Sequence, residues 1–447
     1  MAAVTYARRL GLFSATMAVV GGIIGGGIFR TPATVAERVG SAALVLAAWV
    51  AGGVVALIGA FCFAELGARR PRAGGGYVYL REAWGPLAAF LYGWTLVLVI
   101  ATGAIAAVAV TFADYALAVL GLPDRLTVPL AVGAIVLLAG INCLGVRPAA
   151  VTQNVFTLLK LAALAVLIAA GVFAVTPSVP FRPVPSPSAP EGPGVAAAVG
   201  AALVPILFTY GGWQQTNFIA EELIDAERNL PRALVLGVAI VIAVYLLANV
   251  AYLRVLGAAG LAASTAPAAD VMDAALGPVG GKVIAGGIAA STFGFLNLVI
   301  LVTPRVLQAM AADGVFFARL AALHPVHRTP AAAIVVLAGC AVLLALTGTF
   351  GQLVDYVTFG DWIFFGLTAA GLFAFRTRDA RAGEPAPAGF RVPGYPWTPA
   401  VFVLAAAYVV ASAVASNPKN ALIGAGLIAA GVPAFLLWTR RRVSSVS

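Results

Sequence analysis

Gly21-Gly22-Ile23-Ile24-Gly25-Gly26-Gly27 decides how this chain folds. Glycine fills all but two of these positions, a β-branched pair fills the rest, and the stretch interrupts an apolar segment. A second break, Thr209-Tyr210-Gly211-Gly212-Trp213, interrupts another apolar segment at the matching place in the second half. Unwound backbone within a bilayer survives only where protein or a water-filled cavity supplies hydrogen-bond partners. Paired broken helices in two halves of a membrane protein therefore point to a binding site near the midplane.

The rest of the chain supports a membrane setting. Of its 447 residues, 62% are hydrophobic and 10% charged, with a mean hydropathy of +1.01. Soluble proteins carry roughly 25% charged residues. With about 20 apolar residues needed per helical span, the sequence predicts an all-α integral membrane protein of twelve transmembrane helices. The spans run roughly 10–36, 41–68, 87–120, 127–145, 151–175, 196–224, 233–256, 280–312, 330–349, 352–376, 398–416 and 419–439. The third is long enough to tilt or to include an interfacial turn.

Charge sets the expected topology. With both termini cytoplasmic, inner loops and tails hold nineteen Lys/Arg, including Arg69, Arg70, Arg72, Arg305 and Arg376, against seven in outer loops. That bias fits the positive-inside rule and predicts a multi-pass protein of the inner (plasma) membrane. The basic balance is thus topology. No basic stripe interleaved with aromatics suggests a nucleic-acid partner. Cys62, Cys143 and Cys340 all fall within spans, so no disulfide framework is expected. The first apolar segment is too long for a signal peptide, and no soluble domain is expected. The outer loop Thr176 to Gly194, rich in Pro and Ser, reads as an extended connector.

Spans one to five (10–175) and six to ten (196–376) read as two copies of one unit, each opening on a glycine-broken helix. Five is odd, so the second copy enters from the opposite side, giving a 5+5 inverted repeat. Spans eleven and twelve (398–439) lie outside it. After span two, the glycines at 74–76 give a turn, and Tyr77 to Trp84 fit a short amphipathic interfacial helix with Trp84 at headgroup level.

The first break offers Gly22, Gly25, Gly26 and Gly27, which let a ligand approach the backbone. N–H groups at the start of the following half-helix would hold a carboxylate without any arginine. Small residues also serve close helix packing, but a single Gly-x-x-x-Gly would suffice for that. Carbonyls freed at the second break would accept from an ammonium. Together the breaks match an α-amino acid zwitterion, with Gly211 and Gly212 at the second break and Phe208 and Trp213 placed to wall or gate the pocket.

Lys160 lies about ten residues into span five, roughly 15 Å along the helix, near the middle of a core about 30 Å thick. An intramembrane lysine marks function by default. It could exchange a proton, stand in for a metal cation, or bridge to backbone carbonyls. Asp361 lies at similar depth in span ten, as a second titrating group or a helix cap. Asp114 reads as interfacial. Glu65, Glu221, Glu222, Asp225 and Glu227 lie at cytoplasmic helix ends among basic residues and read as gate or topology salt bridges.

Other chemistries lack their residues. No Walker-A loop is present, so no ATP is implied. His324 and His327 sit together in a cytoplasmic loop, and no metal-ligand spacing occurs in the membrane. Neither His-Glu-x-x-His nor Gly-x-Ser-x-Gly occurs, so an enzyme and a cofactor are not expected.

The segment Gly22-Ile23-Ile24-Gly25-Gly26-Gly27-Ile28-Phe29 resembles the first-helix signature of the amino acid–polyamine–organocation (APC) superfamily. Phe208-Thr209-Tyr210-Gly211-Gly212-Trp213 with Glu221-Glu222 is similar to the sixth-helix signature of its L-amino-acid-transporter branch. Pro71-Arg72-Ala73-Gly74-Gly75, Tyr77-Val78-Tyr79, Gly145-Val146-Arg147, Gln153-Asn154, Pro304-Arg305 and Ala309-Met310-Ala311-Ala312-Asp313-Gly314 resemble further signatures. The resemblance spans nearly the whole chain. It implies the inverted-repeat fold shared with sodium-coupled neurotransmitter transporters. It implies that Gly26 and Gly27 offer N–H groups to a carboxylate, that carbonyls of Ile23, Phe208 and Gly211 take the amine, and that Phe208 is an outer gate. Lys160 aligns with a lysine that, in related transporters, occupies the region of a sodium site, which implies sodium-independent transport by proton coupling or exchange. Gly26 stands where many relatives have Ser, and Gln214 where eukaryotic relatives often have Asn. The eukaryotic branch pairs with a glycoprotein through an outer-loop cysteine, which this chain lacks, so no disulfide-linked partner is expected.

The expectation is therefore a membrane carrier of amino acids working by alternating access, with Lys160 and Asp361 as coupling groups. The rivals are a transporter-like sensor, which the short tail after span twelve disfavours, and a channel, which would need aligned polar rings. No acidic residue lies near the first break in sequence, which favours neutral substrates.

Overall fold

A computed structural model describes residues 4–174, 193–348, 350–382 and 389–444. Most of the Pro- and Ser-rich connector and the last residues of the tail lie outside these. Seventeen α-helices follow one another in the described residues: α1 (Leu12–Ile23), α2 (Thr31–Val39), α3 (Ala42–Arg69), α4 (Gly76–Trp84), α5 (Pro86–Thr95), α6 (Thr102–Leu120), α7 (Thr127–Cys143), α8 (Val146–Ala169) and α9 (Pro193–Thr209) in the first part. Then come α10 (Ala226–Ala263), α11 (Pro267–Leu276), α12 (Pro278–Ala312), α13 (Ala331–Thr347), α14 (Phe350–Ala382), α15 (Trp397–Ser416), α16 (Pro418–Ala429) and α17 (Gly431–Ser444). No strand forms among the described residues; Leu10 and Leu223 make an isolated parallel bridge.

Among the described residues, nine helical stretches are long and apolar enough to cross a membrane, and α1 and α13 are shorter apolar helices. α1 is short because it ends at the first break. The long third span is one helical stretch, Pro86–Leu120, in which Leu96–Ala101 form a π-helical segment between α5 and α6. Such bulges often mark functional sites. The seventh span is longer than its apolar run suggests, because α10 continues past a kink at Gly257, whose φ is 67°.

Both glycine-rich stretches are breaks in the structure. α1 stops at Ile23, Ile24 turns extended, and a short 3₁₀ turn at Gly27–Phe29 leads into α2. α9 stops at Thr209, and after Tyr210-Gly211-Gly212 the chain continues as a 3₁₀ segment, Trp213–Glu222. Across the two halves α1 contacts Trp213–Glu222, α2 contacts α9, α3 contacts α10, α6 contacts α12, and α7 contacts α13.

α4 forms where a short interfacial helix is expected, but it is not simply surface-lying. Tyr77 and Tyr79 are fully buried, while Trp84 is exposed and donates to the Leu367 carbonyl at 2.8 Å. The preceding glycines make this possible. Gly75 sits at φ 43° against the Asn217 backbone, and the Gly74 N–H donates to the Phe218 carbonyl.

The face carrying the N-terminus is closed by ion pairs. Glu65 accepts from Arg69 and Arg376 and from the Val392 N–H. Asp313 accepts from Tyr77 and pairs with Arg81. Glu222 pairs with Arg305 at 2.8 Å, and both side chains are fully buried. Arg305 is therefore no loop charge, as its counting with the inner loops has it. It lies within α12, and the carboxylate on the neighbouring 3₁₀ segment holds it there. The N-terminal segment adds a latch: the N–H groups of Arg9 and Leu10 donate to the Glu222 carbonyl, and Ile224 N–H returns to Leu10. Asp114, by contrast, accepts from Thr127 at an exposed position.

Candidate functional site

A buried polar backbone group needs a partner, so each break can be audited. At the first, Lys160 Nζ donates to the Gly21 and Ile24 carbonyls at 3.0 and 2.6 Å. Ser291 Oγ reaches the Ile24 carbonyl at 3.3 Å. Tyr252 donates to the Ile28 carbonyl. Gly21 makes room for this arrangement, since a Cβ there would fall 2.1 Å from Gln153 Nε2. Gln153 in turn accepts from Asn297, which accepts from Asn142, so a buried amide chain links α8, α12 and α7.

Tyr245 of α10 joins the two breaks. Its hydroxyl lies 3.1 Å from the Ile23 carbonyl and 3.3 Å from the Thr209 carbonyl. One O–H serves both, at the end of a ring packed against Trp49 and Tyr210. The Thr31 and Thr209 hydroxyls meet at 2.8 Å, tying α2 to α9. The backbones themselves touch where Gly22 meets Gly212, which has φ 111°.

Beside this junction lies a cavity of about 250 Å³. Its walls include Gly22, Ile23, Gly25, Gly26 and Gly27 from the first break and Phe208, Gly211 and Gly212 from the second. Ile100, Ala104 and Val108 close one side, Thr292 and Phe295 of α12 another, and Asp361, Trp362 and Phe365 of α14 a third. The N–H groups of Gly26 and Gly27 have no acceptor among the described residues, and Gly26 faces open space.

Two expected residues are placed differently. Trp213 does not line the cavity. The 3₁₀ segment turns it behind the break, where it is 3% exposed and packs edge-on against Phe63. The Ile23 carbonyl is occupied, by Tyr245 and by the Gly25 N–H. The Phe208 carbonyl accepts one bond, from Gly211 N–H, and keeps a lone pair, while no described residue donates to the Gly211 carbonyl. Lys160 lies behind the break rather than on the cavity wall, whereas Asp361 is on it.

Tyr245 carries no signal in the sequence, being one tyrosine in a long apolar helix. Gln214, already noted beside the break, lines the cavity, and its Oε1 accepts from the Gly212 N–H at 3.0 Å. Among the described residues, no cluster of His, Cys, Asp and Glu could hold a metal ion.

The sequence matches the amino acid permease family model over residues 10–437. The large neutral amino acids transporter small subunit 2 of Rattus norvegicus is 34% identical over 442 residues, covering 96% of this chain and 80% of that protein. The human b(0,+)-type amino acid transporter 1 is 33% identical over 416 residues, 92% of this chain and 83% of its own. The human Asc-type amino acid transporter 1 is 31% identical, covering 96% and 82%. With a match across nearly its whole length and apolar helices throughout, the chain is a multi-pass membrane protein that belongs to the amino acid permease family of the APC superfamily.

Proposed function

We propose that this chain is a sodium-independent secondary active transporter of amino acids, working by alternating access at the two breaks. The observation that carries the reading is the cavity where both breaks meet, with two unpaired N–H groups on one side and carbonyls with free lone pairs on the other. The Gly26 and Gly27 N–H groups receive the carboxylate. The Phe208 and Gly211 carbonyls receive the ammonium. The cavity volume of about 250 Å³ is below the range of about 300–1,000 Å³ for drug-sized ligands, which suits one small zwitterion. Phe208, 49% exposed at its edge, is the gate away from the N-terminal face.

Joining α1 to α2 and α9 to the 3₁₀ segment, and adding α14, gives the twelve-span layout with a 5+5 inverted repeat over 10–175 and 196–376. The contacts of α3 with α10, α6 with α12 and α7 with α13 favour it. Transport then consists of the repeats rocking about the site, releasing the ion pairs on the N-terminal, cytoplasmic face. Lys160 fixes a positive charge against the Gly21 and Ile24 carbonyls, where a metal cation would otherwise be needed, so coupling is by protons or by exchange. Relatives' names include a "small subunit". In this chain Cys62, Cys143 and Cys340 all lie within helices, and we read it as working without a disulfide-linked partner in the plasma membrane.

The test is uptake of radiolabelled amino acids into proteoliposomes in sodium-free buffer. Trans amino acid alone driving uptake makes it an exchanger; an inward proton gradient alone driving it makes it a symporter. Ligands that bind but never cross under either condition overturn the transport reading.

A further inference from the structure

The cavity holds one charge. Asp361 is the sole charged side chain on its wall among the described residues, and no lysine, arginine or histidine faces it there. The carboxylate has neither a hydrogen bond nor an ion pair with any described residue. Two other charges buried within the helices are satisfied: Lys160 by two carbonyls and Arg305 by Glu222. Asp361 is half-buried on the cavity wall, and a carboxylate drawn out of water is rarely left unpaired, because the charge gives up hydration.

The surroundings make this position more unusual. Ile100, Val108, Phe295 and Trp362 give the same cavity a largely apolar lining. Gly360 brings α14 close to the π-helical segment, since a Cβ there would lie 4.0 Å from Ile100. One titratable neighbour is Tyr92, whose ring packs on Phe364. A ligand whose carboxylate and α-ammonium are held at the breaks has its side chain left to occupy this wall. That side chain meets an apolar sleeve with a carboxylate on it, which is the form of a site for a long aliphatic chain bearing a cation.

We propose that Asp361 is the specificity-determining residue of the cavity and selects amino acids with a cationic side chain. This rests on the reading of the two breaks as the zwitterion site. It replaces a coupling role for Asp361. It also departs from the expectation of neutral substrates, which rested on the absence of an acidic residue near the first break in sequence. The fold brings one in from α14.

The test compares lysine with norleucine, which keeps the aliphatic chain and lacks the ammonium, using the full chain in proteoliposomes. The expected result is a kcat/KM for lysine at least about tenfold above norleucine, a ratio that Asp361→Asn lowers by at least about tenfold and Asp361→Glu retains. A coupling carboxylate would instead lower concentrative uptake of both substrates together and leave their ratio unmoved. An unmoved ratio overturns the proposal, as does a wild-type preference for norleucine, which needs no variant to fold. If neutral amino acids cross and lysine neither crosses nor competes, the Asp361 proposal falls and the transport reading stands. If no amino acid binds or crosses, both fall.

Discussion

Gly212 and Gly22 meet backbone to backbone: a Cβ built on Gly212 would stand 2.1 Å from the Gly22 carbonyl oxygen. Gly212 also has φ 111°, a conformation that an L side chain resists. The crossing of the breaks thus depends on two missing side chains. Gly212→Ala is expected to displace one break from the other and lower uptake by about a hundredfold or more, the scale of an ångström of misplacement in a preorganised site. Gly140→Ala is the control, because nothing lies within 4 Å of a Cβ at Gly140 and it lies on α7, outside the cavity lining. It is expected to keep uptake within a few-fold. Equal losses in the two variants, measured as uptake at matched protein levels, would remove the crossing from the mechanism.

Tyr245 offers a second test of the same junction. Tyr245→Phe keeps the ring against Trp49 and Tyr210 and removes only the hydroxyl shared by the Ile23 and Thr209 carbonyls. The single shared O–H is worth about 1 kcal/mol net, so KM is expected to rise by about fivefold with thermal stability nearly kept. An unchanged KM would mean that the breaks are held together by their backbones alone.

Lys160 is the third. Lys160→Ala removes the donor to the Gly21 and Ile24 carbonyls and the charge together. It is expected to lower uptake by at least about tenfold, the loss of one charged hydrogen bond at about 1.5–3 kcal/mol. Full uptake and exchange by this variant would separate Lys160 from the transport cycle.

These residues also show what could be read from the chain. Glycine clusters this dense in apolar segments serve little besides unwinding and close backbone approach, so both breaks and most of the cavity's backbone walls were legible. So was the placement of Lys160 and Asp361 inside helices rather than loops. Side-chain direction was not. Trp213 adjoins the break in sequence, yet the 3₁₀ segment points it away from the cavity into an aromatic cluster with Phe63, Phe365 and Phe402. Tyr245 and Asp361 reach the site from helices far along the chain, and only tertiary packing brings them in. Arg305 was legible as a charge but not as a buried one, because its partner Glu222 lies on a different helix.

That buried pair makes the last prediction. Glu222 and Arg305 are each completely buried, joined at 2.8 Å, and Arg305 also donates to the Leu301 carbonyl and sits over the Tyr6 ring. Breaking a buried pair by removing one partner is strongly destabilising, about 3–5 kcal/mol, because it strands the other charge, whereas an apolar replacement of both is often neutral. Glu222→Gln is therefore expected to lower the unfolding temperature clearly and to leave the N-terminal face more open, read as faster labelling of a cysteine placed beneath the latch. Glu222→Leu combined with Arg305→Met is expected to recover most of the lost stability. It is not expected to recover transport, because the latch between Leu10 and Leu223 would then close without a charge pair to open against. If the double variant is no more stable than Glu222→Gln, the loss comes from packing around the 3₁₀ segment rather than from a stranded guanidinium.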